Sequence, residues 1–163
     1  MDTYSIQPAT LFDVPALMMM IRELAEFEHL HNELQVTESS LQDALFGSTP
    51  VAGALLGLVS GKPAGYAVFN PTFSTFVGKP GVFLEDLYVR PGYRRHGLGR
   101  ALLEQAAQRG MRGGPCGRYE WMALRWNDTA LRFYQNMGAQ LLEEWVFVRM
   151  SGDPLRRFME KIS

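Results

Sequence analysis

The chain has 163 residues, of which 47% are hydrophobic and 20% charged, values typical of one globular domain. Sixteen Lys and Arg residues against seventeen Asp and Glu residues give a formal charge of −1, which disfavours a dedicated nucleic-acid or anionic-membrane binder. Cys116 is the single cysteine, which excludes an internal disulfide and a cysteine-based metal site. The longest apolar run, Val51–Val59, is too short to span a bilayer. We therefore expect a single domain over residues 1–163, located in the cytoplasm.

Strand-like and helix-like stretches alternate along the chain, which predicts an α/β (α+β) domain with helices flanking a mixed sheet. Tyr4–Pro8 is predicted to be a short strand. Apolar residues then recur at amphipathic spacing from Val14 to about Glu28, which predicts a helix behind a capping box formed by Thr10 and Asp13.

The middle of the chain is predicted to contribute most of the sheet. Before these strands, Thr37–Leu45 is predicted to be another short helix. Val51–Ser60 and Ala64–Asn70 flank a glycine and a proline and are expected to form a hairpin. Pro71–Gly81 is predicted to be a loop, and Val82–Val89 to be the next strand.

The last part of the chain alternates in the same way. Gly97–Arg112 is predicted to be a helix and Arg118–Arg125 a strand. Asn127 is expected to cap a helix that runs through Met137 and stops at Gly138. The β-branched and aromatic residues of Val146–Met150 predict a late strand.

A basic segment containing two glycines, here called the glycine loop (residues 94–99), leads directly into the helix predicted after Val82–Val89. Unpaired N–H groups and the partial positive charge at a helix N-terminus favour an anion. Gly97 and Gly99 would let a phosphate approach the backbone, and Arg94, Arg95 and Arg100 add positive charge. The segment therefore predicts a phosphate site, with a solvated basic turn as the alternative.

Two common phosphate motifs do not fit this segment. A nucleotide P-loop needs Gly-Lys-Ser or Gly-Lys-Thr after its spacer, and that sequence does not occur here. The dinucleotide-binding fingerprint would need a third glycine where the chain has Leu102.

The pattern Arg94-x-x-Gly97-x-Gly99, after a strand that ends Val89-x-Pro91, resembles the pyrophosphate loop of the GNAT superfamily of acyl-CoA-dependent N-acetyltransferases. The opening Gln7-Pro8-Ala9-Thr10 and the later Trp126-Asn127 with Phe133-Tyr134 are also similar to that superfamily. The resemblance implies a mixed, mostly antiparallel central sheet flanked by helices.

Within the superfamily, the segments Glu23–Glu28 and Leu84–Val89 resemble the diamine (spermidine/spermine) and thialysine acetyltransferases. The resemblance implies acetyl-CoA as co-substrate. It also implies that Val82–Val89 splays from Arg118–Arg125, which would leave backbone N–H groups near Leu87 for the thioester oxygen. No metal is predicted, because the histidines lack metal-binding spacing with carboxylate partners. The implied cofactor-binding residues are Leu87, Tyr88, Val89, Arg94, Arg95, His96, Gly97, Leu98, Gly99, Arg100, Asn127 and Phe133.

Two residues are candidates for proton transfer. Glu85 is the candidate base, acting through water on a protonated amine, and the alternative is a surface carboxylate. Tyr134 lies two helical turns after Asn127 and matches the proton-donating tyrosine of the family; the alternative is a half-buried packing residue.

Acceptor binding should need negative charge, and the candidate substrate-binding residues are Phe27, Glu28, Glu85 and Asp86. We therefore expect N-acetylation of a small polyamine or lysine-like primary amine. The alternatives are acetylation of a protein, peptide or drug amine, and a non-catalytic acyl-CoA-binding regulatory module. The resemblance further implies a homodimer that uses Val146–Met150 at its interface, with no nucleic-acid or membrane partner.

Overall fold

The computed structural model describes residues 3–111 and 114–162, which group into two compact units, Met1–Leu124 and Arg125–Ser163. The first unit contains β1 (Tyr4–Pro8), α1 (Val14–Phe27), α2 (Glu38–Phe46), β2 (Gly53–Val59), β3 (Lys62–Ser74), β4 (Lys79–Val89), α3 (Leu98–Gly110) and β5 (Arg118–Trp121). The second unit contains α4 (Asp128–Asn136) and α5 (Gly152–Glu160). In the described part of the chain, no helix is both long and apolar enough to cross a membrane.

The first unit is built on a five-stranded sheet in the order β1-β2-β3-β4-β5. Each neighbouring pair from β1 to β4 is antiparallel, whereas β4 and β5 are parallel. The predicted mixed, mostly antiparallel α/β fold is therefore confirmed. The predicted capping box is also present, because the Thr10 N–H donates to Asp13 Oδ2 at 2.8 Å ahead of α1.

The prediction of a loop over Pro71–Gly81 is wrong. β3 and β4 stay paired out to Ser74 and Lys79, so the connection between them is a short turn. Pro71 is tolerated because β2 pairs with β3 only as far as Phe69, and beyond that point β3 has one neighbour. Pro80 likewise precedes the pairing of β4 with β5. A proline costs no ladder hydrogen bond where its missing N–H has no strand to face.

Two predictions for the C-terminal part need correction. β5 ends at Trp121 and does not reach Arg125, because β4 has no pairing with β5 beyond Leu84. Val146–Met150 does not form the predicted late strand, and its side chains are exposed, Val148 by 86%. Strand propensity needs a neighbouring strand to take effect, and this unit supplies none to the segment among its described residues.

The sheet is covered by helices on both faces. On one face α1 and α2 bury a cluster that includes Leu17, Met18, Tyr66 and Tyr88. On the other face the side chains of α3 approach the backbone of β2 and β3 closely. A Cβ on Gly57 would come within 2.8 Å of Leu98 Cδ1, so this glycine lets the start of α3 pack against the sheet. The N-terminus of α3 is thereby placed beside the end of β4.

Candidate active site

The glycine loop presents backbone at the start of α3. Gly97 precedes the helix with φ of +87°, a conformation that favours glycine. The Ala101 N–H donates to the Gly97 carbonyl at 3.0 Å, so the N–H groups of residues 98–100 lie ahead of the first helical hydrogen bond. A Cβ on Gly99 would meet only Val89 Cγ2, at 3.6 Å. The helix start therefore has the bare backbone that a pyrophosphate needs.

The three arginines of this region differ in their surroundings. Arg95 is exposed and left-handed, with φ of 67°. Arg100 is exposed and forms an ion pair with Glu104 at 2.8 Å. Arg94 is half-buried and donates from Nε to the Val89 carbonyl at 2.7 Å. Its guanidinium carbon lies 5.2 Å from the centre of the Phe27 ring and 5.8 Å from that of Tyr88.

β4 changes its neighbours half-way along. Gly81–Leu84 is paired with both β3 and β5, whereas Glu85–Val89 is paired with β3 alone. The register also shifts here, so that Leu84 opposes Phe69, Asp86 opposes Val68, and Glu85 lies in the bulge between them. A bulge bends its strand and increases the local twist. The pairing of the two parallel strands therefore ends at Leu84 and Trp121, and the splay that the resemblance implies stays a prediction.

An acidic cluster, formed by Glu28, Tyr66 and Asp86, lies on the α1 face of the sheet. The fully buried Tyr66 donates its hydroxyl to Asp86 Oδ2 at 3.1 Å. Burial is the main reason that the pKa of Asp86 is raised to about 6. The hydrogen bond from Tyr66 lowers this pKa, whereas the charges of Glu85 and Glu28 raise it. Burial also raises the pKa of Glu28, which caps the C-terminus of α1. Two partly desolvated carboxylates are therefore close enough for the charge of Glu28 to raise the pKa of Asp86.

An ion pair between Glu23 and Arg90 connects α1 to the end of β4. Arg90 donates from Nε and Nη2 to the Glu23 carboxylate, the shortest of these bonds being 2.7 Å, and from Nη1 to the Pro63 carbonyl at 2.7 Å. Hydrogen bonds from Arg90 lower the pKa of Glu23. The pair holds the middle of α1 beside the point where β4 enters the glycine loop.

Sequence reasoning missed Tyr66 and the Arg90–Glu23 pair. Tyr66 had a usable signal, because a tyrosine among small apolar residues in a buried strand needs a partner for its hydroxyl. Glu85, by contrast, is exposed, and Phe27 is 38% exposed at the end of α1.

The second unit contains the other predicted residues. Asn127 caps α4 by accepting from the Ala130 N–H at 3.2 Å, as predicted. Tyr134 is buried, and its ring centre lies 5.3 Å from that of the half-buried Phe133. Gly138 ends the helical segment with φ of +91°, as predicted.

A profile of the acetyltransferase (GNAT) family matches residues 18–139, which include the glycine loop, all of β4 and the Asn127–Tyr134 segment. The chain belongs to the GNAT acetyltransferase family. It is 33% identical to the thialysine N-epsilon-acetyltransferase of Mus musculus, over 96% of this chain and 97% of that protein. It is 30% identical to the L-ornithine N5-acetyltransferase NATA1 of Arabidopsis thaliana, over 93% of this chain and 86% of that protein.

Solved structures of low sequence identity share the fold. An aminoglycoside N-acetyltransferase, AAC(6')-Iy, solved in complex with CoA, matches with a TM-score of 0.73 at 15% identity, over 92% of this chain and 96% of that one. The family profile and the curated relatives show that this GNAT protein is an N-acetyltransferase, and acetyl-CoA is the donor that its family uses. Among residues 3–111 and 114–162, no three His, Cys, Asp or Glu side chains are grouped to hold a metal ion.

The first unit of this GNAT enzyme fits acetyl-CoA on two independent features. The exposed left-handed Gly97 and the N–H groups that follow it suit a pyrophosphate. The one-sided segment Glu85–Val89 leaves a strand edge beside which an extended pantetheine arm can lie.

Proposed function

We propose that this enzyme transfers the acetyl group of acetyl-CoA to a primary amine of a small polyamine or lysine-like acceptor. The observation that carries the proposal is the acidic cluster, in which Glu28 and Asp86 converge beside the buried Tyr66. Two relatives are named as acetyltransferases of thialysine and ornithine, and these names support an acceptor that is an amino acid or diamine of similar length.

The acidic cluster has the charge that an alkylammonium group requires. An alkyl amine has a pKa of about 10.4 and is a cation at neutral pH. Both carboxylates have a raised pKa because burial disfavours their charge, and a cation placed between them offsets that cost. We expect the ring of Phe27, at the end of α1, to contact the aliphatic part of the same acceptor.

The donor would lie along β4 and the glycine loop. The helix start at Gly97–Arg100 would bind the pyrophosphate, with Arg95 and His96 at its exposed edge. The pantetheine arm would follow Leu87–Val89, and a backbone N–H near Leu87 would donate to the thioester oxygen. Asn127 and Phe133 complete the proposed donor residues.

The proposed chemistry moves three protons. Glu85 accepts a proton from the acceptor ammonium through water, and the neutral amine then attacks the thioester carbonyl. The tetrahedral intermediate collapses, breaking the C–S bond, and the amine nitrogen gives its second proton to water. Tyr134 donates its hydroxyl proton to the departing CoA thiolate and is reprotonated from solvent. The products are the acetylated amine and free CoA.

We further propose that the enzyme is a cytoplasmic homodimer that uses its C-terminal segment. Val146 and Val148 are 82% and 86% exposed, and Trp145 is 73% exposed. A run of exposed β-branched and aromatic residues suits pairing with a second copy. Light scattering of the full chain should give twice the monomer mass, and Val148→Lys should shift it to the monomer mass.

The test of the proposed function is an amine panel assayed with acetyl-CoA while free thiol is followed. The panel should include diamines, spermidine, lysine, ornithine and thialysine, with an aminoglycoside and a lysine-containing peptide as competitors of other classes. We expect turnover with at least one small aliphatic amine, and we expect this turnover to need no macromolecular acceptor. CoA binding without small-amine turnover would contradict the proposal and favour a protein acceptor or a regulatory module.

A further inference from the structure

Arg94 connects the two halves of the proposed site. It begins the glycine loop in sequence, yet its guanidinium lies above the Phe27 ring at the end of α1 and above the Tyr88 ring on β4. Its Nε hydrogen bond to the Val89 carbonyl at 2.7 Å sets the direction of the side chain. A guanidinium above an aromatic face is attracted by the ring quadrupole, most strongly where water is partly excluded.

The last turn of α1 closes on its own backbone, since the His29 N–H donates to the Glu26 carbonyl at 3.1 Å and the Leu30 N–H to the Ala25 carbonyl at 2.8 Å, but it ends in an unfavourable conformation. The chain leaves the helix at His29, which is left-handed with φ of 61° although it is not a glycine. That conformation costs roughly 1–2 kcal/mol for a residue with a Cβ. The Glu23–Arg90 pair holds α1 one turn earlier and does not reach Phe27 or Glu28.

We propose that Arg94 is a positioning residue for the acceptor amine, which holds Phe27 and Glu28 at the end of α1 against β4, and that its side chain is not a ligand of the CoA phosphates. The inference rests on the proposed function, since it assigns acceptor binding to Glu28. It departs from the expectation that all the arginines of the glycine loop serve the donor.

The neighbouring Arg95 provides a matched control. It carries the same charge in the same loop, but its side chain is exposed. Arg94→Met and Arg95→Met should therefore have opposite effects. For Arg94→Met we expect the amine KM to rise about 3- to 10-fold, with the Kd of CoA changed less than about twofold. For Arg95→Met we expect weaker CoA binding and an unchanged amine KM.

Two further variants separate positioning from a general loss of structure. Arg94→Lys keeps the charge but loses the planar group and the Nε–H, so it should recover only part of the amine KM. Phe27→Leu combined with Arg94→Met should raise the amine KM by less than the product of the single effects, because both remove one contact. The proposal would be overturned if the effects of Phe27→Leu and Arg94→Met on the amine KM were additive. It would also be overturned, in favour of a phosphate ligand, if Arg94→Met weakened CoA binding and Arg94→Lys restored it.

Hydrogen exchange gives a readout that needs no turnover. Arg94→Met should speed amide exchange in residues 24–28 relative to wild type and to Arg95→Met, with exchange in α3 unchanged. Unchanged exchange in residues 24–28 would refute the positioning role even if no amine were acetylated. A wild-type enzyme that acetylates no small amine but shows the Arg94 effect on exchange would refute the proposed acceptor alone.

Discussion

The donor and acceptor sides of the proposed site are made in different ways. The donor side is a continuous stretch of backbone, from the one-sided end of β4 through the glycine loop to the start of α3. The acceptor side is made of side chains that come from three separate elements, Glu28 after α1, Tyr66 on β3 and Asp86 on β4. One side depends on local conformation, and the other on how a helix packs against a sheet.

This difference has a consequence for how each side can change. Backbone N–H groups bind a phosphate without needing one particular side chain, so on the donor side the charge of an exposed residue such as Arg95 adds to binding but does not create the site. The acceptor side depends on two carboxylates whose burial raises the pKa of each. Substitutions there should alter acceptor choice without touching donor binding.

The largest effect is expected at Tyr134, which we assign to the chemical step and to neither binding side. Tyr134→Phe removes one hydroxyl and keeps the ring, and kcat should fall about 10²- to 10⁴-fold. Both KM values should change far less, because the lost interaction matters in the transition state. Steady-state kinetics from pH 6 to 9 measure this, with a smaller defect at high pH where the thiolate needs no proton. Near-wild-type kcat throughout would make Tyr134 a packing residue.

The second effect concerns the donor side alone. Gly99 has room for a side chain, so Gly99→Gln should preserve the helix and Gly99→Glu differs from it only in charge. Gly99→Glu should weaken CoA binding by about 10- to 100-fold relative to Gly99→Gln, through repulsion of the pyrophosphate. Calorimetry with CoA measures the difference. Equal affinities of the two variants for CoA would show that the pyrophosphate does not bind at this helix start.

The third effect is a pH dependence of the acceptor side. Asp86 has a pKa of about 6 in the free enzyme, so lowering the pH from 7.5 to 5 protonates it. The amine stays cationic over this range, and its KM should rise about tenfold as the carboxylate charge is lost. Asp86→Asn should have a high KM that is nearly flat with pH. A wild-type KM that does not change below pH 6.5 would exclude Asp86 from acceptor binding.

The smallest effect is expected at Glu28, which is only half-buried. Glu28→Gln should raise the amine KM about 3- to 10-fold, the loss expected for one charge-assisted hydrogen bond, and leave the Kd of CoA unchanged. Glu26→Gln, on the exposed side of the same helical turn, is the matched control. If both variants behave like wild type, Glu28 returns to being a helix-end carboxylate.

Local sequence signals were reliable where local geometry decides the outcome. The capping box of Thr10 and Asp13, the cap at Asn127 and the left-handed glycines 97 and 138 all lie where their residue types predict. Proline was misleading in the β3–β4 hairpin. Pro71 and Pro80 read as loop residues, but each lies where its strand has one neighbour, which only the arrangement of all five strands reveals.

The donor side could be predicted from the sequence alone, because a phosphate site of this kind is a strand, a loop and a helix start joined in one segment. The sequence also predicted Glu28 and Asp86 as acceptor residues, from the negative charge that a cationic amine requires. The fold was needed to show that the Tyr66 hydroxyl donates to Asp86 and that the guanidinium of Arg94 lies over the Phe27 ring. These contacts join residues far apart in the chain, and burial, which raises the pKa of Asp86, exists only after α1 packs on the sheet.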